Sequence, residues 1–93
     1  MYLAKVIGRV VATTKDASLS GSKLLIVARL NAALKPEGKT DIAVDTVGAG
    51  NGETVIVTTG SAGRFASTLQ HSVVDATIVG IVDTVETNAQ VEV

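Results

Sequence analysis

The sequence contains no cysteine and no tryptophan, and only one tyrosine, one phenylalanine, one proline and one histidine among its 93 residues. Without cysteine there can be neither a disulfide framework nor a thiolate metal site. With Tyr2 and Phe65 as the only aromatic residues, the chain lacks the stacking platforms that hold single-stranded nucleic acid. An excess of one charge is missing too. Eight Lys and Arg against nine Asp and Glu leave a net charge of −1, which is no footprint for a polyanion. Long apolar runs are also absent: the longest, Leu24 to Ala28, is closed by Lys23 and Arg29, far short of the ~20 residues that a spanning helix requires. The opening Met1-Tyr2-Leu3-Ala4-Lys5 has no charged stretch followed by an apolar block, so no signal peptide is expected. These absences imply a protein that engages neither nucleic acid nor membrane, and they fit a cytoplasmic location.

What the chain does have is a hydrophobic fraction of 46%, high for one small soluble domain. A chain of this size buries only about 60–65% of the surface its unfolded form exposes. The apolar surplus therefore implies buried contacts between subunits, because obligate interfaces resemble a core cut in half. With aromatics nearly absent, the core must be built from Val, Ile, Leu and Ala, and Val and Ile favour strands.

Along the chain, even positions Ala4, Val6, Gly8, Val10 and Ala12 alternate with Lys5 and Arg9, the period of a half-buried strand. Asp16 to Ser22 is small and polar and reads as a loop. Lys23 to Leu30 follows as a second strand, apolar on both faces, as expected where one face meets the core and the other a neighbour. Asn31 to Thr40, with Pro36, reads as a connection. Asp41 to Val47 and Thr54 to Thr59 are the third and fourth strands. Asn51-Gly52 between them is a tight-turn signal. Ser61 to Gln70 is the one stretch that could be helical, with Phe65 and Leu69 on one face. Asp75 to Glu86 reads as a long fifth strand interrupted at Gly80, a bend or bulge. The expected fold is mainly β: a small five-stranded closed barrel, similar in outline to an oligonucleotide-binding fold, with one short helix between strands four and five. It spans a single domain over residues 1–86, followed by a tail over 87–93.

The groups that could carry chemistry are sparse. Gly48 to Gly52 leads into a strand and not into a helix N-terminus, and lacks the lysine of a phosphate loop. His71, with Ser61, Ser67 and Asp75 near it in sequence, has no nucleophile-elbow pattern around it. Asp41, Asp45, Asp75 and Asp83 do not form the alternating acidic loop of a calcium site; Asp41 and Asp45 are expected to face solvent or an interface. The chain is therefore read as no enzyme, with no cofactor and no metal. Its function is either structural or that of a non-catalytic β-barrel binding module for a peptide or enzyme partner.

Four blocks narrow this choice. They are Met1-Tyr2-Leu3-Ala4-Lys5-Val6-Ile7-Gly8, Leu19 to Val27, Ala43-Val44-Asp45-Thr46-Val47-Gly48-Ala49-Gly50-Asn51-Gly52-Glu53 running on to Gly60-Ser61-Ala62-Gly63-Arg64, and Val74 to Asp83. Together they resemble the vertex-protein family of bacterial microcompartments, of the carboxysome and ethanolamine-utilisation type, over roughly Met1 to Glu86. The resemblance implies a five-stranded barrel with a short helix, assembled as a homopentamer that caps the five-fold corners of a cytoplasmic protein shell. The other partners it implies are the hexagonal shell proteins, whose flat sheets cannot close without five-fold corners. A closed ring uses a heterologous interface, one patch docking on a different patch of the neighbour. The resemblance also places the small-residue loop Gly60, Ser61, Ala62 and Gly63 near the ring axis, and Arg64 at the subunit boundary. Two departures stand out. Ala62-Gly63 replaces the family's usual Ser-Ala, and Ser72-Val73 precedes Val74-Asp75 where a proline is common.

Overall fold

A computed structural model describes residues 1–13, 17–19, 21–60 and 75–88. Five strands account for most of them: β1 (Tyr2–Val10), β2 (Lys23–Leu30), β3 (Pro36–Asp45), β4 (Thr54–Thr59) and β5 (Ala76–Ile81). They close into a barrel in the order β1-β2-β3-β5-β4, which returns to β1. Every pairing is antiparallel except β3 with β5. Closure removes the sheet edges that so strand-rich a chain would otherwise expose. The only helical turn among the described residues is a 3-10 turn at Ala17–Leu19; the helix expected over Ser61 to Gln70 lies outside them.

A five-stranded barrel has a narrow interior, and small branched residues fill it. Val6, Val27, Val55, Val57 and Ile78 are 0–1% exposed, with Ala4 and Ala49 equally buried. The register brings them face to face: Val6 opposes Val27, Ala4 opposes Val55, and Val57 opposes Ile78.

Three irregularities depart from the alternation read in the sequence. In β1 a bulge at Ile7 changes the pairing from Val6↔Val27 to Gly8↔Ile26. An extra residue reverses which side chains point inward. Arg9 therefore shares the face of buried Leu25, and Val10 joins Leu24 outside, so the even positions do not all lie on one face. In β5 the register slips between Gly80 and Ile78, leaving Val79 as the extra residue; the bulge expected at Gly80 is adjacent to it. In β3 the pairing jumps from Ala28↔Thr40 to Leu30↔Pro36 around Gly38, whose φ is +80°.

Element boundaries also shift. β3 starts at Pro36, inside the expected connection, because a proline is tolerated as the first residue of a strand. Its first five residues are all exposed and carry no apolar alternation that would mark a strand. β3 stops at Asp45 and not Val47, because the Asp45 carboxylate captures the backbone N–H groups of Val47 at 3.0 Å and Ala49 at 2.9 Å and turns the chain. β5 ends at Ile81, well short of Glu86. Its partner β4 begins at Thr54, and after Val82 N–H donates to the Thr54 carbonyl there is no strand left to pair with.

Candidate assembly surface

Each end of the barrel is fastened by a cation, a carboxylate and a third group. At one end Val27↔Asp41 and Ala4↔Arg29 are cross-strand pairs, so Asp41 and Arg29 reach the same rim as Tyr2. The Tyr2 hydroxyl donates to Asp41 Oδ2 at 2.6 Å, and Arg29 Nη2 lies 3.5 Å from the same oxygen. The guanidinium carbon stands 3.9 Å above the centre of the Tyr2 ring, a cation–π stack. Burial first, then the bond to and charge of Asp41, push the Tyr2 phenol up to about 12, with Arg29 opposing. At the other end Lys23 pairs with Asp45 across β2 and β3. Its ammonium donates to the Ala49 carbonyl at 2.8 Å and lies 3.7 Å from Asp45 Oδ2. Glu53 Oε1 accepts the Gly50 N–H at 2.6 Å. These bonds fold the 46–53 segment back, so that Ala49 plugs the core at 0% exposure. Thr46 Oγ1 adds a bond to the Ile78 carbonyl at 2.7 Å.

Asp45 is therefore not a surface group: its side chain is only 2% exposed. Asp41, on the same face of β3 but at the opposite rim, keeps 40% of its side chain exposed while it bonds to Tyr2. Among the described residues no three His, Asp or Glu side chains come together as metal ligands. The glycine-rich loop takes positive φ at Gly48 (+81°) and Gly52 (+87°) and serves as the turn into β4.

The outer wall differs from the rims. Two rows of paired residues cross it: Val10–Leu24–Val44, and Gly8–Ile26–Ile42. Gly8 leaves room for its neighbour; a Cβ there would lie 3.5 Å from Ile26 Cδ1. Ile42 is 57% exposed, and it borders a groove of about 240 Å³ lined also by Val10, Leu19, Leu24 and Val44. Ile7, in the bulge, adds a further exposed apolar side chain. This is the second apolar face expected of Lys23 to Leu30, and the bulge at Ile7 enlarges it by moving Val10 outward. The first row runs on into Thr77 and Thr58, both buried, whose hydroxyls bond to nothing among the described residues.

Of the loop residues singled out by resemblance, Gly60 is described. It takes φ +63°, and its N–H donates to the Asp75 carbonyl at 2.7 Å, joining the two ends of the β4–β5 connection. Ser61, Ala62, Gly63 and Arg64 lie outside the described residues, as does His71. Sequence reading missed the Tyr2–Arg29–Asp41 and Lys23–Asp45–Ala49 groupings. The Tyr2–Asp41, Arg29–Asp41 and Lys23–Ala49 hydrogen bonds join residues 12 to 39 positions apart, which only the barrel register brings together. The available signal was charge on strand residues of otherwise apolar segments.

A small closed barrel with polar fastenings at both ends and an apolar outer wall presents a surface suited to packing against a neighbour. The family described as "Ethanolamine utilisation protein EutN/carboxysome" matches residues 1–83. The chain belongs to that family. It is 64% identical over 87 residues to the bacterial microcompartment shell vertex protein GrpN of Rhodospirillum rubrum, covering 94% of this chain and 98% of GrpN. It is 40% identical over 91 residues to the shell vertex protein EutN of Salmonella typhimurium, covering 98% and 92%. The solved structure of the GrpN pentameric microcompartment shell protein from Rhodospirillum rubrum superposes with a TM-score of 0.88, covering 95% of this chain and 100% of that one. That of Gloeobacter violaceus CcmL, 36% identical, gives 0.90 over 95% and 91%.

Proposed function

We infer that this protein is a structural subunit of a bacterial microcompartment shell, a ring of five copies that occupies the shell's vertices in the cytoplasm. The observation that carries this reading is likeness along almost the whole chain, at 64% identity, to a shell vertex protein whose solved structure is pentameric. The physics of the barrel supports it. An outer wall presenting Ile42 and Ile7 to water is unfavourable in a free monomer, at roughly 25 cal/mol per Å² of apolar surface left uncovered. A ring covers such a wall with the neighbour, one patch against a different one.

The finer parts of the reading follow from the same likeness. Residues 1–86 form the ring-building domain, and residues 87–93 extend from it. Hexagonal shell proteins surround the ring at the vertex. Gly60, Ser61, Ala62 and Gly63 crowd the ring axis, where only small side chains fit, and Arg64 pairs across the subunit boundary. Enzymatic activity has no place in this role, and neither does a cofactor.

Native mass spectrometry at micromolar concentration tests the ring: a dominant species of five chains is expected, and a clean monomer would overturn the reading. Co-expression with hexagonal shell proteins should give closed shells, with open or ragged assemblies when this chain is withheld. Ser61→Trp should weaken the ring by crowding the axis and Arg64→Ala by removing the boundary pair; wild-type ring stability in both would remove these two assignments.

A further inference from the structure

The loop between β3 and β4 contains Asn51-Gly52, with both residues exposed. In this dipeptide the backbone nitrogen after the asparagine carries no neighbouring side chain to hinder it, which makes it a chemically labile pair. The folded loop restrains that nitrogen in a specific way. Gly50 to Glu53 form a turn in which the Glu53 N–H donates to the Gly50 carbonyl at 3.1 Å, with Gly52 at φ +87°, a type II geometry. The Gly52 N–H donates to the Val6 carbonyl at 2.8 Å, and the Val6 N–H donates to the Glu53 carbonyl at 2.9 Å. This reciprocal pair ties the turn to β1 immediately before the bulge at Ile7. Glu53 is the nearest carboxylate in sequence, and it is committed to the Gly50 N–H at 2.6 Å, so it is not free to draw a proton from Gly52.

We propose that Asn51 is a latent self-deamidation site, kept inert in the folded barrel because the Gly52 nitrogen that must attack it is locked on the Val6 carbonyl. When the lock opens, the Gly52 nitrogen loses its proton and bonds to Asn51 Cγ. The Cγ–Nδ2 bond breaks, and Nδ2 leaves as ammonia with the proton that Gly52 gave up. Water then opens the resulting cyclic imide at either carbonyl, leaving aspartate or isoaspartate at position 51. No oxidant or reductant is needed. The product is not neutral for the loop. Asn51 borders a recess of about 320 Å³ with Arg9, Lys23 and Ala49, so a new carboxylate competes with Asp45 and the Ala49 carbonyl for the Lys23 ammonium. The isoaspartate form also inserts an additional main-chain carbon into the turn and takes the Gly52 N–H out of register with Val6. A chain modified while open therefore closes poorly.

The test follows the full-length protein in mildly alkaline buffer by intact mass and peptide mapping, folded and in denaturing urea. Conversion at Asn51 should be slower in the folded protein by on the order of tenfold or more, as expected when reaction needs a local opening. Across urea concentrations below global unfolding, its rate should rise in step with hydrogen exchange of the Gly52 amide, because one opening exposes both. Asn51→Gln should abolish the conversion at this position. Equal rates in folded and unfolded protein would overturn the proposal, as would conversion while the Gly52 amide stays protected, or no conversion at Asn51 in urea.

Discussion

Tyr2 offers a measurement that reads one end of the barrel directly. It is the only tyrosine in a chain without tryptophan, so the phenolate absorbance band reports this residue alone. Burial and Asp41 hold its phenol at about 12 against an ordinary 10.0. Unscreened, that difference corresponds to about 2.7 kcal/mol, and solvent reaching the part-buried ring lowers it to on the order of 1 kcal/mol. The sign follows from proton binding: the folded state keeps the proton that the unfolded state releases first. The stabilisation is therefore fully present below pH 10 and is lost as pH rises from about 10 through about 12. Urea unfolding at a series of alkaline pH values should show stability falling across that window. Lysines titrate in the same range, so Tyr2→Phe supplies the baseline. The variant should lose about 1 kcal/mol at neutral pH with the Asp41 hydrogen bond, and it should fall less steeply between pH 10 and 12. A phenolate midpoint near 10.0 in protein still folded by circular dichroism would refute the reasoning, as would an alkaline profile unchanged in Tyr2→Phe.

Ile78→Ala, at a fully buried position facing Val57, should cost about 2–5 kcal/mol, read as a lower urea midpoint with little change in slope. Asp45→Ala strips the acceptor from the Val47 and Ala49 amides and the nearby carboxylate from Lys23. It should cost roughly 2–3 kcal/mol, and hydrogen exchange at those two amides should accelerate before that of the core strands. Leu34 is a non-glycine residue at φ 62° in an exposed turn. Leu34→Asn, which tolerates that conformation, should gain about 0.5–1 kcal/mol in thermal unfolding, and a loss would contradict the strain.

The barrel and its strand content were legible because Val-rich runs of strand length, set apart by glycine, proline and polar residues, leave few other solutions. Thr54 to Thr59 is β-branched at every position, and Lys23 to Leu30 is an apolar run set between polar segments, so both marked their own bounds. The apolar surplus, too large for one narrow core, already pointed to contacts between subunits. Residue periodicity could not reveal the bulge at Ile7, because a bulge is fixed by how two strands pair and not by either alone. That single extra residue decides that Val10 belongs to the outer wall and Arg9 to the inner face. Asp45 was expected to face solvent or an interface and is instead buried, since its partners Lys23 and the Val47 and Ala49 amides are fixed only when the barrel closes. Composition and pattern by themselves determined the class of fold and its tendency to assemble, because those depend on how much apolar surface there is and how it repeats. Which side chains meet at the rims, and which face outward to a neighbour, was decided by strand register, a property of the closed barrel as a whole.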